Sequence, residues 1–285
     1  MQNILLVGAS GLLGSEFVQI FREKDTDFLA PNRMELEIAD RKSVELFFEH
    51  HEIDLVICAA GYTAVDLAEK ERWRCQKANV WGVKNLLAMK KPLIHFSTDY
   101  VFDGLTREPI AENAKRNPLN FYGKSKMEAE MLLEKSDAPW WNIRTSWLFG
   151  KNGRSFITTI LGASEGVDFL PIVCDQTGIP TSAKDLAETV VKNFLEKNPP
   201  FSGHYHIVNS GKTTTWADFA KFIFAEKNIK TVIRPIKTSE LNRPAARPTY
   251  SVLANTKLDI EMPNWKTAVK KFLSASYKTE SVNWG

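Results

Sequence analysis

Three glycines follow the first apolar segment of the chain at regular spacing. The apolar run Ile4–Val7 predicts a buried strand, Gly8, Gly11 and Gly14 predict a tight turn, and residues 15–21 predict a helix. Glycine lets such a turn approach a pyrophosphate closely, and the helix N-terminus offers free N–H groups to the phosphates. This order of elements predicts a dinucleotide-binding site, with a plain tight turn as the alternative. The residues expected to contact the cofactor here are Gly8, Ser10, Gly11, Leu12, Leu13 and Gly14.

Apolar runs continue to alternate with helical stretches through the first half of the chain. Further strands are expected at 27–30, 53–60, 92–96 and 140–144, and a helix at 42–50. This alternation predicts an α/β fold, with a Rossmann-type doubly wound parallel sheet and a smaller C-terminal α+β substrate-binding domain. Residues 1–146 are assigned to the NAD(P)-binding Rossmann domain, 172–197 are expected to return to it, and 147–171 and 198–285 form the substrate-binding domain.

Composition narrows the classes of partner. The chain has 285 residues and a formal net charge of +3, with no long basic run, which argues against nucleic acid or an anionic membrane as a partner. The cysteines Cys58, Cys75 and Cys174 are scattered and have neither metal-ligand nor redox spacing. We therefore expect a cytoplasmic protein without a bound metal.

The ends of the second and third predicted strands bear on the choice of cofactor. An acidic residue after the second strand would bind a ribose 2′-OH, whereas a cation there accommodates a 2′-phosphate. This chain has Arg33 in that region, which favours NADPH over NADH, unless Arg33 is simply solvated. Ala59, Ala60 and Tyr62 leave the carboxyl end of the third strand, where ligands of doubly wound sheets bind, and are expected at the cofactor.

Tyr122 and Lys126 are four residues apart at the start of a segment rich in helix formers. This spacing places them on one helix face, where the ammonium is expected to lower the pKa of the phenol towards the working pH of a general acid. The alternative is that Tyr122 and Lys126 are surface residues that share a helix face by chance, because so short a pattern occurs often. The pair Ser97 and Thr98 ends the fourth predicted strand and is suited either to hold a carbonyl oxygen or to cap a helix.

Two further sets of residues are candidates for ligand contacts. Arg243 and Arg247 lie on a backbone stiffened by proline. A guanidinium group can donate two parallel hydrogen bonds to the oxygens of a phosphate. His204 and His206 alternate along a predicted strand and share a face, but no third ligand has suitable spacing, so no metal site is assigned.

Taken together, these motifs resemble the extended short-chain dehydrogenase/reductases, and most closely the dTDP-4-dehydrorhamnose reductase family. The more specific likeness lies in residues 61–66, 97–104, 144–147, 175–181 and 243–253. The resemblance implies that Tyr122 is the proton donor, that Lys126 is its partner and binds the nicotinamide ribose, and that Thr98 holds the substrate carbonyl. It also implies a dTDP-4-keto-6-deoxy sugar as substrate, in a monomer or homodimer. The expected substrate contacts are Thr98, Asp99, Tyr100, Trp147 and Arg243.

Two other functions remain open from the sequence. A related family with this fold binds NADP as a non-catalytic regulatory subunit of an S-adenosylmethionine synthetase, although Thr98, Tyr122 and Lys126 are all present here. A nucleotide-sugar epimerase or dehydratase is the third reading. Dehydratases need an acidic pair after the threonine, and here Asp99 is followed by Tyr100.

Overall fold

The computed structural model describes residues 3–197 and 199–275. Its strands are β1 Ile4–Val7, β2 Phe28–Leu29, β3 Leu55–Cys58, β4 Leu93–Thr98, β5 Trp140–Thr145, β6 Leu148–Phe149, β7 Phe169–Val173, β8 Thr177–Gly178, β9 Thr181–Ser182, β10 Gly203–His206, β11 Thr214–Thr215 and β12 Val232–Ile236. Its α-helices are α1 Gly14–Glu23, α2 Arg41–His50, α3 Val65–Ala68, α4 Arg72–Gln76, α5 Gly82–Ala88, α6 Phe121–Leu133, α7 Phe156–Ala163, α8 Ala183–Val190, α9 Trp216–Lys227 and α10 Trp265–Ser274. Single π-helical turns at Lys77–Trp81 and Val191–Leu195 continue α4 into α5 and extend α8, and short 3₁₀ turns lie at Asp99–Val101 and Thr238–Glu240.

The central sheet is parallel and has the strand order β10-β5-β4-β3-β1-β2. The chain runs outward from β1 to β2 and then crosses back to β3, so the strand order reverses between β1 and β3. Ligands of doubly wound sheets bind beyond the carboxyl ends of the strands at such a reversal. This topology therefore places the glycine-rich turn after β1 at the expected binding edge.

Apolar residues cover the sheet on both faces. In β1, Ile4 and Leu6 join a core with α1 and α8, whereas Leu5 and Val7 join a core with α2, α5 and α6. Successive side chains of a strand point to opposite faces, so a continuous apolar run is buried on both sides. The Rossmann-type α/β fold expected from the sequence is confirmed.

Side-chain caps define where several helices begin. Asp40 accepts a hydrogen bond from the amide of Lys42 at α2, and Asn120 accepts one from the amide of Gly123 at α6. Ser155 and Thr158 form a capping box at α7. These bonds satisfy amides that the first turn of a helix leaves free, which is why the helices begin at these residues.

Part of the chain after residue 146 belongs to the central sheet instead of the substrate-binding domain to which the sequence assigned it. Strand β10 was expected in the substrate-binding domain, but Gly203–His206 pairs with Trp141–Arg144 at the edge of the central sheet. Helix α8 packs on α1 through Leu186, Ala187 and Val190. A separate core joins α7, α9 and α10 beside the sheet. The rest of the domain assignment stays a prediction, and its residues 198 and 276–285 lie outside the described part of the chain.

A helix that crosses a lipid bilayer must be both long and apolar. Among the described residues, no helix is long and apolar enough to cross a bilayer.

Candidate active site

The glycine-rich turn lies between the carboxyl ends of β1 and β3. Gly8 has a φ of +85°, and a Cβ atom added to it would lie 2.5 Å from the amide nitrogen of Ala60. A Cβ atom on Gly14 would lie 2.0 Å from the carbonyl oxygen of Gly8. No side chain caps the start of α1 at Leu13, and the amides of Ser15 and Glu16 donate to the carbonyl oxygens of Gly11 and Leu13 at 3.0 and 3.1 Å. Only glycine permits this close packing of the turn, and glycine-rich turns of this kind bind pyrophosphates in dinucleotide-binding folds.

The other predicted contacts in this turn divide into exposed and packed residues. Ser10 and Gly11 are exposed at its tip, whereas Leu13 is buried in the core below α1. The Leu12 side chain lies against Gly150, since a Cβ atom there would meet it at 3.1 Å. The side chains of Leu12 and Leu13 secure the turn, and the predicted contact of these two residues with a cofactor would fall to their backbone groups.

Tyr62 leaves β3 at the same edge and is held by two side chains. Its amide donates to Asn79 Oδ1 at 2.8 Å, and its hydroxyl donates to Glu71 Oε2 at 2.8 Å. The Nδ2 of Asn79 donates back to the carbonyl of Tyr62 at 3.1 Å. These bonds fix the loop that also carries Ala59 and Ala60 beside Gly8.

Arg33 lies beyond β2 and is engaged by a carboxylate. Its Nε is 2.6 Å from Glu37 Oε2, and 80% of its side chain is exposed. Partial burial opposes ionisation of Glu37, but the amide of Ala39 and the Arg33 guanidinium hold the pKa of Glu37 below its usual range. A 2′-phosphate would thus have to compete with Glu37 for this guanidinium.

The end of β4 arranges Thr98, Asp99 and Tyr100. The Thr98 hydroxyl donates to Asp99 Oδ1 at 3.0 Å and accepts from the amide of Tyr100 at 3.2 Å. Asp99 is buried, and burial raises its pKa to about 6, against the hydroxyls of Ser251 and Thr98. Asp99 was expected at the substrate, but the structure places its carboxyl group against Thr98.

Helix α6 brings Tyr122 towards Thr98. Gly123 permits this close approach, because any Cβ atom at this position would lie only 2.1 Å from the carbonyl oxygen of Tyr100. The Tyr122 ring meets that of Tyr100 edge-on, with centroids 5.9 Å apart, and the Tyr122 phenol lies near the Thr98 hydroxyl. Burial raises the pKa of Tyr122, and the Thr98 hydroxyl only partly opposes this. The expectation that the pKa of Tyr122 lies below its usual value is wrong, because loss of water around the phenol dominates.

Lys126 lies one turn after Tyr122 and is buried. Its Nζ is 3.0 Å from Nε2 of His95 on β4, and burial lowers the pKa of Lys126 to about 8. A Cβ atom on Gly61 would lie 4.0 Å from this Nζ, so the amine reaches the end of β3 beside the predicted cofactor residues. The structure thus brings Thr98, Tyr122 and Lys126 to one edge of the sheet, facing the glycine-rich turn.

Comparison with known proteins gives a consistent result. The family model described as "RmlD substrate binding domain" matches residues 1–278. The spore coat polysaccharide biosynthesis protein SpsK of Bacillus subtilis is 35% identical, over 96% of this chain and 97% of that protein. The chain belongs to the RmlD family.

Solved structures of relatives agree with this family. A dTDP-4-dehydrorhamnose reductase of Clostridium acetobutylicum is 37% identical with a TM-score of 0.90, covering 95% of this chain and 98% of that one. The corresponding reductase of Bacillus anthracis, solved in complex with NADP, is 31% identical with a TM-score of 0.90, covering 96% and 99%. The resemblance inferred from the motifs is confirmed.

In this RmlD family member, Trp147 adopts an unusual backbone conformation. Its φ is +48°, which is costly for a bulky residue and points to a functional constraint. The ring stacks on Trp216 at a centroid distance of 3.5 Å, and a Cβ atom on Gly178 would lie 2.5 Å from it. Trp216 Nε1 donates to Gln176 Oε1 at 3.1 Å. Sequence reasoning missed Trp216.

The two arginines after α9 have different settings. Arg247 makes a two-bond ion pair with Asp66, at 3.0 and 2.7 Å, and its charge partly opposes the effect of burial, which raises the pKa of the Tyr100 phenol. Arg243 is half exposed, with Nη1 4.0 Å from Asp66 Oδ2. Sequence reasoning chose Arg243 as the substrate contact, whereas the structure places Arg247 beside Tyr100. The role of Arg243 stays a prediction.

A buried polar cluster below Lys126 was also missed. It consists of His95, Glu130, Asn142 and Arg144, all at most 1% exposed. The available signal was a polar residue at alternate positions of two strands that are otherwise apolar, β4 and β5. Among the described residues, no group of three or more histidine, cysteine, aspartate or glutamate side chains is arranged to hold a metal ion.

Proposed function

We propose that this chain reduces the C4 carbonyl of a dTDP-linked 4-keto-6-deoxy sugar, converting dTDP-4-dehydro-L-rhamnose into dTDP-L-rhamnose with NADPH. NADH is the alternative cofactor. The observation that carries the proposal is the meeting of Thr98, Tyr122 and Lys126 at the carboxyl edge of the sheet, opposite the glycine-rich turn. The names of the relatives with solved structures support the substrate class.

The dinucleotide is expected along the carboxyl edge of the sheet. Its pyrophosphate would lie at the glycine-rich turn, where Gly8 packs against Ala60, and its nicotinamide end would extend past Tyr62 towards Lys126. When bound there, NADPH supplies the hydride that reduces the carbonyl carbon.

The side chains of the chain manage the charge that develops on the carbonyl oxygen. Thr98 is placed to donate a hydrogen bond to that oxygen and thus to orient the carbonyl. Tyr122 is placed to protonate it, and its raised pKa keeps the phenol protonated at neutral pH. The Lys126 ammonium favours the phenolate that remains and can hydrogen-bond the nicotinamide ribose.

The sugar nucleotide is expected to lie across the other wall of the cleft. Tyr100 meets the ring of Tyr122, and Trp147 is expected to shape the sugar pocket. The Arg247 guanidinium suits a diphosphate, which would compete with Asp66 for it. Arg243 is half exposed near Asp66 and is free to move towards the same phosphates.

The test is NADPH oxidation by the purified chain with dTDP-4-dehydro-L-rhamnose generated in situ, followed by NMR of the product. Oxidation that yields dTDP-L-rhamnose is the expected result. Oxidation that yields another sugar would keep the reductase and change its substrate. NADPH binding without turnover of any nucleotide keto sugar would overturn the proposal in favour of the regulatory subunit, and tightly retained NAD would favour an epimerase.

Location and assembly complete the proposal. A nucleotide-sugar reductase with free thiols at Cys58, Cys75 and Cys174 suits the cytoplasm. We expect a monomer or a homodimer, with neither nucleic acid nor a membrane as a partner. Size-exclusion chromatography with light scattering measures the assembly.

A further inference from the structure

Lys126 donates a hydrogen bond to a buried histidine on the neighbouring strand. Its Nζ lies 3.0 Å from Nε2 of His95, and the two side chains are 5% and 0% exposed. An ammonium removed from water is stable only where acceptors replace its hydration. His95 is such an acceptor, and its role depends on which of its ring nitrogens carries the proton.

A row of polar side chains runs from His95 across three adjacent strands. His95, Asn142 and His204 are register partners on β4, β5 and β10 and point to the same face. His95 Nδ1 is 2.7 Å from Asn142 Oδ1, and Asn142 Nδ2 is 2.9 Å from His204 Nδ1. The orientation of the Asn142 amide therefore decides the proton positions on both rings.

Glu130 of α6 fixes that orientation. Burial alone would raise the pKa of Glu130, but two hydrogen bonds from Arg144, at 2.9 and 2.7 Å, and its charge lower the pKa to about 2. An ionised carboxylate only accepts hydrogen bonds. Asn142 Nδ2 lies 3.1 Å from Glu130 Oε1 and must donate to it, so the amide oxygen of Asn142 faces His95.

The tautomer of His95 follows from these contacts. Because Asn142 Oδ1 can only accept, His95 must carry a proton on Nδ1, and its Nε2 then has a free lone pair towards Lys126. Burial and the charge of Lys126 lower the pKa of His95 to about 3, so the ring remains neutral over the working range.

We propose that His95 is a positioning residue that holds the Lys126 ammonium in the active site, and that Glu130 and Asn142 act through it by fixing its tautomer. The inference rests on the proposed function in treating Lys126 as the partner of the proton donor. Without the Nε2 acceptor, the buried ammonium of Lys126 loses a hydrogen bond. The side chain is then held less firmly, and the ammonium loses its proton at a lower pH.

The effect of a His95 substitution on the pKa of Lys126 depends on the other titratable groups nearby. The titratable groups that act on Lys126 are Cys58 on β3, Cys75 on α4, His95 on β4 and Glu130 on α6. Those acting on His95 are Lys126, Glu130 and His204. Replacing His95 by leucine leaves the carboxylate and thiols in place and removes only the direct acceptor, so the pKa of Lys126 should fall.

The first experiment measures the tautomer directly. The chain has five histidines, so ¹⁵N NMR of the imidazole nitrogens can be assigned by single substitutions. The expected result at neutral pH is a neutral His95 ring with its proton on Nδ1 and an Nε2 signal that moves in Lys126→Met. A proton on Nε2, or an imidazolium, would overturn the proposal whether or not the chain reduces a keto sugar.

The second experiment compares pH profiles of kcat in His95→Leu, His95→Gln and His206→Gln. His206 is an equally buried histidine of the same sheet, and it contacts Arg144 and the Ala254 carbonyl, which makes its variant a matched control. His95→Leu should lower kcat about tenfold or more, the scale of a lost hydrogen bond to a buried charge, and move the basic limb to lower pH. His95→Gln, whose amide oxygen can accept from Lys126, should recover most of kcat and the wild-type limb.

The outcomes separate positioning from general stability. An unmoved basic limb in His95→Leu, or the same loss in His206→Gln, would show a merely structural role and overturn the proposal. If His95→Leu does not fold, His95→Gln and the NMR measurement decide. If wild type lacks reductase activity, the proposed function fails while the NMR result still tests the contact of His95 with Lys126.

Discussion

The side chains around the carboxyl end of β4 titrate in a setting with little water. Burial raises the pKa of Tyr122 and lowers those of Lys126 and His95, to about 8 and about 3. A reductase needs its proton donor protonated before hydride transfer, and a phenol with a raised pKa meets that need at neutral pH. In the proposed reaction, the proton moves because the proton affinity of the substrate oxygen rises above that of the Tyr122 phenol as negative charge grows on that oxygen.

The first prediction concerns the proton donor. Tyr122→Phe should lower kcat about 10²–10⁴-fold, the range for loss of a general acid, and leave NADPH binding little changed. Steady-state kinetics and a fluorescence titration with NADPH measure the two effects. Tyr205→Phe is the matched control, since it removes a phenol hydroxyl from β10 of the same sheet and should retain kcat. A near-normal rate in Tyr122→Phe would contradict its role.

The second prediction concerns the cofactor's 2′-phosphate. Arg33→Ala should weaken NADPH binding much more than NADH binding, because only NADPH has a 2′-phosphate for the guanidinium. Arg41→Ala is the control, because Arg41 makes the same kind of exposed i,i+4 ion pair, with Glu45 at 2.7 Å, in α2. Calorimetric titration with both cofactors gives the ratio. Equal weakening of NADPH and NADH in Arg33→Ala would exclude the assignment.

Helix α6 is the element on which the site depends. Its cap at Asn120 also donates to the carbonyl of Ala246 at 2.7 Å, which ties the start of the helix to the C-terminal segment. Gly123 then seats the first turn on the carbonyl of Tyr100. This seating brings the phenol of Tyr122 to Thr98, so the geometry of the reacting groups is set by one helix and one strand end.

The third prediction tests this seating. Gly123→Ala should lower kcat strongly and destabilise the fold, since its Cβ atom would lie 2.1 Å from a backbone oxygen and α6 must move away. Gly162→Ala in α7 is the control, because its Cβ atom would meet nothing within 4 Å. That change should keep kcat and stabilise the chain by about 0.5–1 kcal/mol, the usual difference between alanine and glycine in a helix. Kinetics and urea unfolding of both variants give the comparison, and full activity in Gly123→Ala would contradict the argument.

At the scale of the whole molecule, the C-terminal segment closes over the sheet through paired charges. Arg247 and Asp66 lie 181 residues apart in sequence and form a two-bond ion pair. Buried histidines of the sheet add a dependence of the overall stability on pH. Burial, and then the charge of Arg144, lower the pKa of His206 to about 4, and burial and Lys126 lower that of His95 to about 3.

The fourth prediction is a loss of stability on mild acidification. Above the unfolded pKa of about 6.5, both rings are neutral in both states, and the unfolding free energy does not depend on them. Below it the unfolded chain binds protons that the folded chain cannot, so each histidine lowers stability by about 1.4 kcal/mol per pH unit down to its folded pKa. Glu130, with a folded pKa of about 2, adds to the loss only below about pH 4.5. Urea unfolding between pH 5 and 7 should show a shallower slope in His206→Gln, and an unchanged slope there would contradict the prediction.

Much of the candidate site was accessible from local sequence. Neighbouring residues predicted the glycine-rich turn after β1, the helix that carries Tyr122 and Lys126, and Thr98 at the end of β4. The roles of these residues stay predictions. Each of these signals spans a few residues within one element or one turn. The pKa of Tyr122 was misjudged, because its direction depends on how much water the surrounding elements exclude.

Sequence alone determined the family and the α/β class, because helix spacing, strand runs and glycine turns are properties of neighbouring residues. The reacting groups that it predicts stay a proposal. Tertiary structure alone decided that β10 completes the sheet, that Arg247 pairs with Asp66, and that His95 meets Lys126. His95 and Asn142 are 47 residues apart, and Asn142 and His204 are 62 apart. Such contacts arise from strand order and register, which bring distant residues of neighbouring parallel strands side by side.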